Sequence, residues 1–140
     1  MFEATSQQQS ANVTDLDRAI QDEVAPWQDP IGEDNHVVVF LDRYPVTRGH
    51  RLYVPKWNTP YGIWHAFRSA QEHGDDLRRR GEIDGYNLGI NRGEAAGQTV
   101  MYPHVHFIPR MSGDCADATG GVRGVIPGQA NYRAASYQKP

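Results

Sequence analysis

The chain has one cysteine, Cys115, in 140 residues. An internal disulfide is excluded, and the composition fits a reducing compartment. Cys115 itself is expected in a partly exposed loop. A strong charge bias is also missing: 14 Lys and Arg stand against 17 Asp and Glu, for a formal net charge of -3. The broad basic field that a nucleic-acid partner needs is therefore not expected. No apolar run approaches the roughly 20 residues of a membrane-spanning helix, so no membrane partner is expected either. The N-terminus lacks the basic start and apolar core of a secretory leader, which makes a cytoplasmic protein the expectation. There is no internal repeat. What is present suffices for one domain with a sizeable core.

Along the chain, residues 1–13 are polar and rich in Gln and Ser, and are expected to be a flexible N-terminal segment. Thr14-Asp15-Leu16-Asp17 opens a helix, with a capping hydroxyl and acidic residues in the first turn. Leu16, Ile20 and Val24 form its apolar stripe, and Pro26 and Pro30 end the segment. Val37–Leu41 reads as a buried β-branched strand, and His50–Pro55 as its partner. Thr59-Pro60 starts a second helix, with Ile63, Trp64, Phe67, Ala70 and Leu77 toward the core and Gly81 as C-terminal cap. Arg78, Arg79 and Arg80 suit a solvated helix end. Gly85–Asn91 is a further strand, followed by a glycine-bearing loop, Gly93–Gly97. Short links between strands favour an antiparallel sheet with helices on one face. A Gly- and Ala-rich stretch follows Arg110, interrupted by an apolar island at Val122–Pro127. Trp27, Trp57 and Trp64 are expected to be packing residues. His36, His65 and His73 are expected on solvated surfaces.

The most informative stretch is Gly97-Gln98-Thr99-Val100-Met101-Tyr102-Pro103-His104-Val105-His106-Phe107-Ile108-Pro109-Arg110. Its alternation reads as a strand. Tyr102, His104 and His106 then share one face, while Val105 and Phe107 enter a core. A neutral imidazole is a nucleophile at neutral pH, provided its other N–H has an acceptor that fixes the tautomer. A neighbouring backbone carbonyl can be that acceptor. A second imidazole donates to a phosphate oxygen. Gln98 and Thr99 add side-chain donors, and the Gly93–Gly97 loop adds backbone N–H groups in an anion-binding concavity. These residues together point to attack on phosphorus. Two other readings of the same residues stay open: a metal half-site completed by His50 or Asp42, and a merely polar strand face.

These motifs resemble the histidine triad (HIT) family of nucleotide hydrolases and transferases over roughly residues 37–127. The carrying residues are Gly97-Gln98-Thr99-Val100 before the histidines, Ile108-Pro109-Arg110 after them, Phe40–His50 with Leu52–Lys56, and Asn87–Asn91. Gly120–Pro127 is similar to a bacterial subgroup of dinucleoside polyphosphate hydrolases. The resemblance implies an α+β fold with about five antiparallel strands and helices packed on one face. It implies a domain over residues 14–127 and a C-terminal tail over 128–140. His104 matches the nucleophile, oriented by a backbone carbonyl at position 102, and His106 matches the phosphate-binding histidine. His50 matches a histidine beside the first triad position. Asn91, Gly97, Gln98 and Thr99 match phosphate or leaving-group contacts, Asp42 a ribose contact, and Phe40 a base-packing position. Tyr102 stands where the family has its first histidine; its hydroxyl is expected near His50, and its presence puts rate and substrate choice in question. The implied activity is hydrolysis of a diadenosine polyphosphate-type phosphoanhydride through a nucleotidyl-His104 intermediate. A phosphoramidate substrate, or nucleotide binding with slow turnover, is the alternative. No protein-bound cofactor is implied, beyond magnesium carried by the nucleotide, and the expected assembly is a homodimer.

Overall fold

The computed structural model describes residues 13–140, so the expectation for the N-terminal segment falls almost wholly outside the described residues. Helix α1 spans Asp15–Gln21. Thr14 caps it: its hydroxyl accepts from Asp17 N–H at 3.1 Å, and Asp17 accepts from Thr14 N–H at 3.0 Å. This reciprocal pair satisfies two N–H groups at the helix start. Strands β1 (Gly32–Glu33), β2 (Val37–Leu41), β3 (Arg51–Pro55), β4 (Gly85–Ile90) and β5 (Val105–Arg110) form one sheet in the order β1-β2-β3-β5-β4. Every neighbouring pair is antiparallel. The α+β architecture is thus the expected one.

Helix α2, Pro60–Arg79, covers one face of the sheet. Its buried residues are Gly62, Ala66, Ala70 and Gly74. Four small residues spaced by four give a flat stripe that lets the helix lie close to Val37, Tyr53, Val105 and Phe107. At Gly74 a β-carbon would stand 2.5 Å from the Tyr86 ring. Trp64, expected to face inward, is 50% exposed. It lies about 200° around the helix from both Gly62 and Ala66, beside Tyr61 and beneath Arg68. Gly81 has φ of +70° and donates its N–H to Arg78 O, which ends the helix as expected.

The short helix α1 packs on the opposite face, so the two helices divide between the two sides of the sheet. There Leu16, Ala19 and Ala25 meet Val38, Phe40, Leu52, Val54 and Tyr102. Strand alternation explains the division: Val38 and Phe40 point to this side, and Val37 to the other.

Three sequence expectations need correction. Strand β5 begins at Val105 rather than at Tyr102, because Pro103 has no N–H to give a ladder. The histidines assigned to solvated surfaces are half-buried: His36 stacks on His65 with ring centroids 3.9 Å apart, and His73 packs against Phe107 at 5.1 Å. Trp57, like Trp64, is exposed instead of packed.

The C-terminal segment has its own organisation. A 3-10 turn at Gly121–Val125 lies against β4. Arg123 donates to Ala130 O at 3.1 Å and Gln129 O at 3.3 Å, and its guanidinium lies near the rings of Tyr132 and Tyr137. Residues beyond Pro127 therefore fold back on this arginine.

Candidate functional site

His104 lies just before β5 and is buried. Its Nδ1 is 2.8 Å from Tyr102 O. A carbonyl only accepts, so Nδ1 carries the hydrogen and Nε2 keeps a free lone pair. Burial pushes the His104 pKa down, against the opposing pull of the Tyr102 carbonyl and Asp42. The ring is therefore neutral at pH 7, as a nucleophile requires.

A second chain of protons fixes His106. Val46 N–H donates to His50 Nδ1 at 3.1 Å. His50 must then carry its hydrogen on Nε2, which lies 2.9 Å from His106 Nδ1 and 3.5 Å from Asp42 Oδ2. His106 accepts at Nδ1, so its own hydrogen sits on Nε2, available to an anion. Burial, with His104 and His50 nearby, pushes the His106 pKa down to about 4. Burial also lowers that of His50, opposed by Asp42. His106 is therefore a neutral hydrogen-bond donor at pH 7, and His50 is its positioning partner.

The local chain explains why these groups meet. His106 pairs with Leu52 on β3 and Gly89 on β4, at the centre of the sheet. Asp42 follows β2; its Oδ1 accepts from Tyr44 N–H at 2.7 Å, and its own N–H donates to His50 O at 3.0 Å. This turn folds the connection back so that Asp42 and His50 face His106.

A cleft of about 290 Å³ opens on His104 and His106. Its walls include Trp27, Phe40, Leu52 and Val100, with Asp42, Asn91 and Thr99 adding polar atoms. The predicted residues Phe40, Asp42, Asn91, Thr99, His104 and His106 are thus brought together. Trp27 escaped sequence reasoning as a site residue. Its ring lies 4.9 Å from that of His104 and 5.9 Å from that of Phe40. The available signal was its place in a proline-flanked, non-periodic stretch, where an aromatic has no helix or strand face to fill.

Three predicted substrate contacts are placed elsewhere. Gln98 is buried, with Oε1 accepting from Gly93 N–H at 2.8 Å and Nε2 donating to Val100 O at 3.0 Å. Both ends of its amide hold the loop, with one Nε2 hydrogen left outside these two bonds. Gly97 gives its N–H to Glu94 O and supplies a left-handed turn with φ of +84°. The N–H groups of Gly93, Ala96 and Gln98 are likewise engaged inside the loop, so the expected anion cradle is not formed by them. Tyr102 turns beneath α1, and its hydroxyl donates to Pro55 O at 2.6 Å instead of approaching His50. The phenol is long enough to reach the β3 backbone, and burial raises its pKa. Only the Tyr102 carbonyl serves His104.

Asp42, His50 and His106 also bring three ligand-type atoms within 4.8 Å of one another. The His50–His106 contact is a hydrogen bond with its proton assigned by Val46, so a cation there would first have to displace that proton.

The comparisons with known proteins agree with this geometry. The HIT domain model matches residues 27–113. An uncharacterized HIT-like protein of Methanocaldococcus jannaschii is 37% identical over 89 residues, covering 59% of this chain and 68% of that protein. An adenylylsulfatase of Arabidopsis thaliana is 33% identical over 98 residues, covering 65% of this chain and 50% of its own length. Among solved structures, a zinc-bound histidine triad family protein from Mycobacterium smegmatis superposes with a TM-score of 0.59 at 32% identity, over 71% of this chain and 78% of that one. A HIT family protein from Bacillus anthracis gives 0.54 at 36% identity, over 66% and 70%. A carbonyl-oriented histidine, a second histidine held by a third, and a cleft opening on the first two thus coincide with the matched region, and the chain belongs to the HIT domain family.

Proposed function

We propose that the protein is a nucleotide hydrolase that works through a covalent nucleotidyl-His104 intermediate. The observation that carries this reading is the 2.8 Å contact between His104 Nδ1 and Tyr102 O, which leaves Nε2 unprotonated at the cleft floor. In the first step Nε2 attacks the α-phosphorus; a P–N bond forms, the bond to the leaving group breaks, and the leaving group departs with its electron pair and takes a proton from solvent. In the second step water attacks the same phosphorus and gives up a proton to solvent. The P–N bond breaks, its electron pair returns to Nε2, and the nucleoside monophosphate leaves. Two in-line displacements retain configuration at phosphorus.

His106 Nε2–H donates to a phosphate oxygen in both steps. Thr99 and Asn91 bind phosphate oxygens, Asp42 accepts from the ribose hydroxyls, and the base packs against the apolar wall that Trp27 and Phe40 form together. Magnesium accompanies the substrate as its counter-ion. A homodimer is part of the reading, with a second copy adding at the edge of β4 that no other described strand pairs.

A nucleotide-binding protein with slow turnover is less well supported, because Tyr102 retains the carbonyl that orients the nucleophile. A dinucleoside polyphosphate and a phosphoramidate would use the same His104. Short-time quench with nucleotide substrate, followed by mass analysis of the His104 peptide, tests the route. The expected result is a nucleotidyl adduct in the parent and none in His104→Ala. Absence of adduct, with His104→Ala turning over as fast as the parent, would overturn the reading.

A further inference from the structure

His50 and His106, joined at 2.9 Å, can carry their two hydrogens in either of two orders. In one, His50 Nε2–H donates to His106 Nδ1, and His106 presents Nε2–H to the cleft. In the other, His106 Nδ1–H donates to His50 Nε2, and His106 presents a lone pair to the cleft. That lone pair would repel an anionic phosphate oxygen, where the hydrogen attracts it. The order along the pair therefore decides what His106 can do.

Val46 N–H, 3.1 Å from His50 Nδ1, selects the first order, because only a lone pair can accept there. Asp42 Oδ2 is less selective. It lies 3.5 Å from His50 Nε2 and 3.9 Å from His106 Nδ1, so it favours a hydrogen on either of the two facing atoms. The selecting group is thus one main-chain N–H in the β2–β3 connection, outside any strand ladder. A hydrogen bond weakens steeply off its axis, so that N–H needs a fixed backbone.

Thr47, next in the chain, supplies the anchor. Its hydroxyl donates to Pro109 O at 2.7 Å. Among the described residues, this is the only hydrogen bond that ties residues 43–49 to anything outside residues 42–50. Pro109 lies on β5, three residues beyond His106. Gly49 approaches the same proline so closely that a β-carbon there would stand 3.3 Å from Pro109 Cγ. The strand that carries His106 thereby grips the connection that orders its hydrogens.

Resting on the nucleotidyl-His104 reading for its catalytic consequence, we infer that Thr47 is a positioning residue. Its hydroxyl, latched to Pro109 O, holds Val46 N–H on His50 Nδ1 and so keeps the His106 Nε2 hydrogen directed at phosphate. The latch acts through two side chains and touches no substrate itself.

Thr47→Val removes the hydroxyl and keeps the shape, whereas Thr47→Ser keeps the hydroxyl. Nitrogen NMR of labelled protein at pH 7 separates ring nitrogens that carry hydrogen from those that do not. In the parent and in Thr47→Ser, His50 and His106 should each carry hydrogen on Nε2 alone. In Thr47→Val both rings should give signals averaged over the two orders, and kcat/KM should fall about fivefold, the worth of one hydrogen bond. His104 is held separately by Tyr102 O, and its Nδ1 hydrogen should stay in all three proteins. Loss of packing alone would lower the melting temperature without reordering these hydrogens.

The parental order on both rings in Thr47→Val would overturn the inference, since Asp42 and Val46 would then suffice without the latch. So would a reordering that persists in Thr47→Ser, or one that spreads to His104. Should Thr47→Val fail to fold, Thr47→Ala read in the same way decides. If the parent forms no His104 adduct while Thr47→Val still reorders the hydrogens, the latch stands and the catalytic reading falls.

Discussion

The two faces of the sheet use the same strands for opposite ends. On the α2 side, Phe107, Val105 and Tyr53 meet a helix stripe of glycine and alanine, and burial is close to complete. On the other side, one residue along each strand, His106, Leu52 and Phe40 lie beneath a short helix and an open cleft. The first face is mostly apolar, the Tyr53 phenol and the His73 ring beside Phe107 being its exceptions, so contact area largely decides its stability. The second holds three histidines and a carboxylate, whose proton positions are fixed by Val46 N–H and Tyr102 O. Both sides bury an apolar cluster, and only the second also fixes the positions of protons.

Substitutions should separate the two. The largest effect is expected for His104→Ala, which should lower kcat by at least about a thousandfold with a melting transition near that of the parent; steady-state kinetics alongside thermal unfolding checks both. Gly74→Leu attacks the opposite face. Its side chain would meet the Tyr86 ring, whose hydroxyl is anchored on Asp75 at 2.7 Å. A loss of about 3 kcal/mol in urea unfolding is expected, with kcat preserved in the folded fraction.

Acid should weaken the histidine face. The His106 pKa falls from 6.5 to about 4 on folding, so the unfolded chain takes up the proton first as pH drops. Stability is thus fully present above about pH 6.5 and declines until the folded ring titrates near 4. Between pH 7 and pH 5 this one residue should account for on the order of 2 kcal/mol. Urea unfolding at the two pH values measures it, and a slope unchanged in His106→Asn would remove His106 as the cause. The smallest effect is expected for Tyr102→Phe, which deletes the bond to Pro55 O and should cost about 1 kcal/mol. Tyr102→His should not raise kcat above that of the parent, because the orienting group is the carbonyl that every residue carries.

Much of this was legible in the sequence where local rules act. The Thr14 and Thr59 caps, the β-branched run of β2 and the Gly81 helix end all have short-range causes, and each is present. The pairing of His104 with a backbone carbonyl was also anticipated from the chemistry of a neutral nucleophile. What escaped depended on long-range partners. Gln98 looked like a free donor until the loop folded onto both ends of its amide. Trp64 fitted an apolar stripe, but the tight approach of α2 demanded small residues instead. Trp27 reaches His104 only after the chain between them has formed four strands and a helix.

Arg123 binds two carbonyls and two tyrosine rings, all from the segment that follows it. The final stretch of the polypeptide is consequently fastened to itself more than to the catalytic machinery. Insertions or replacements there would be absorbed within the segment itself, leaving the proton positions of His104 and His106 undisturbed.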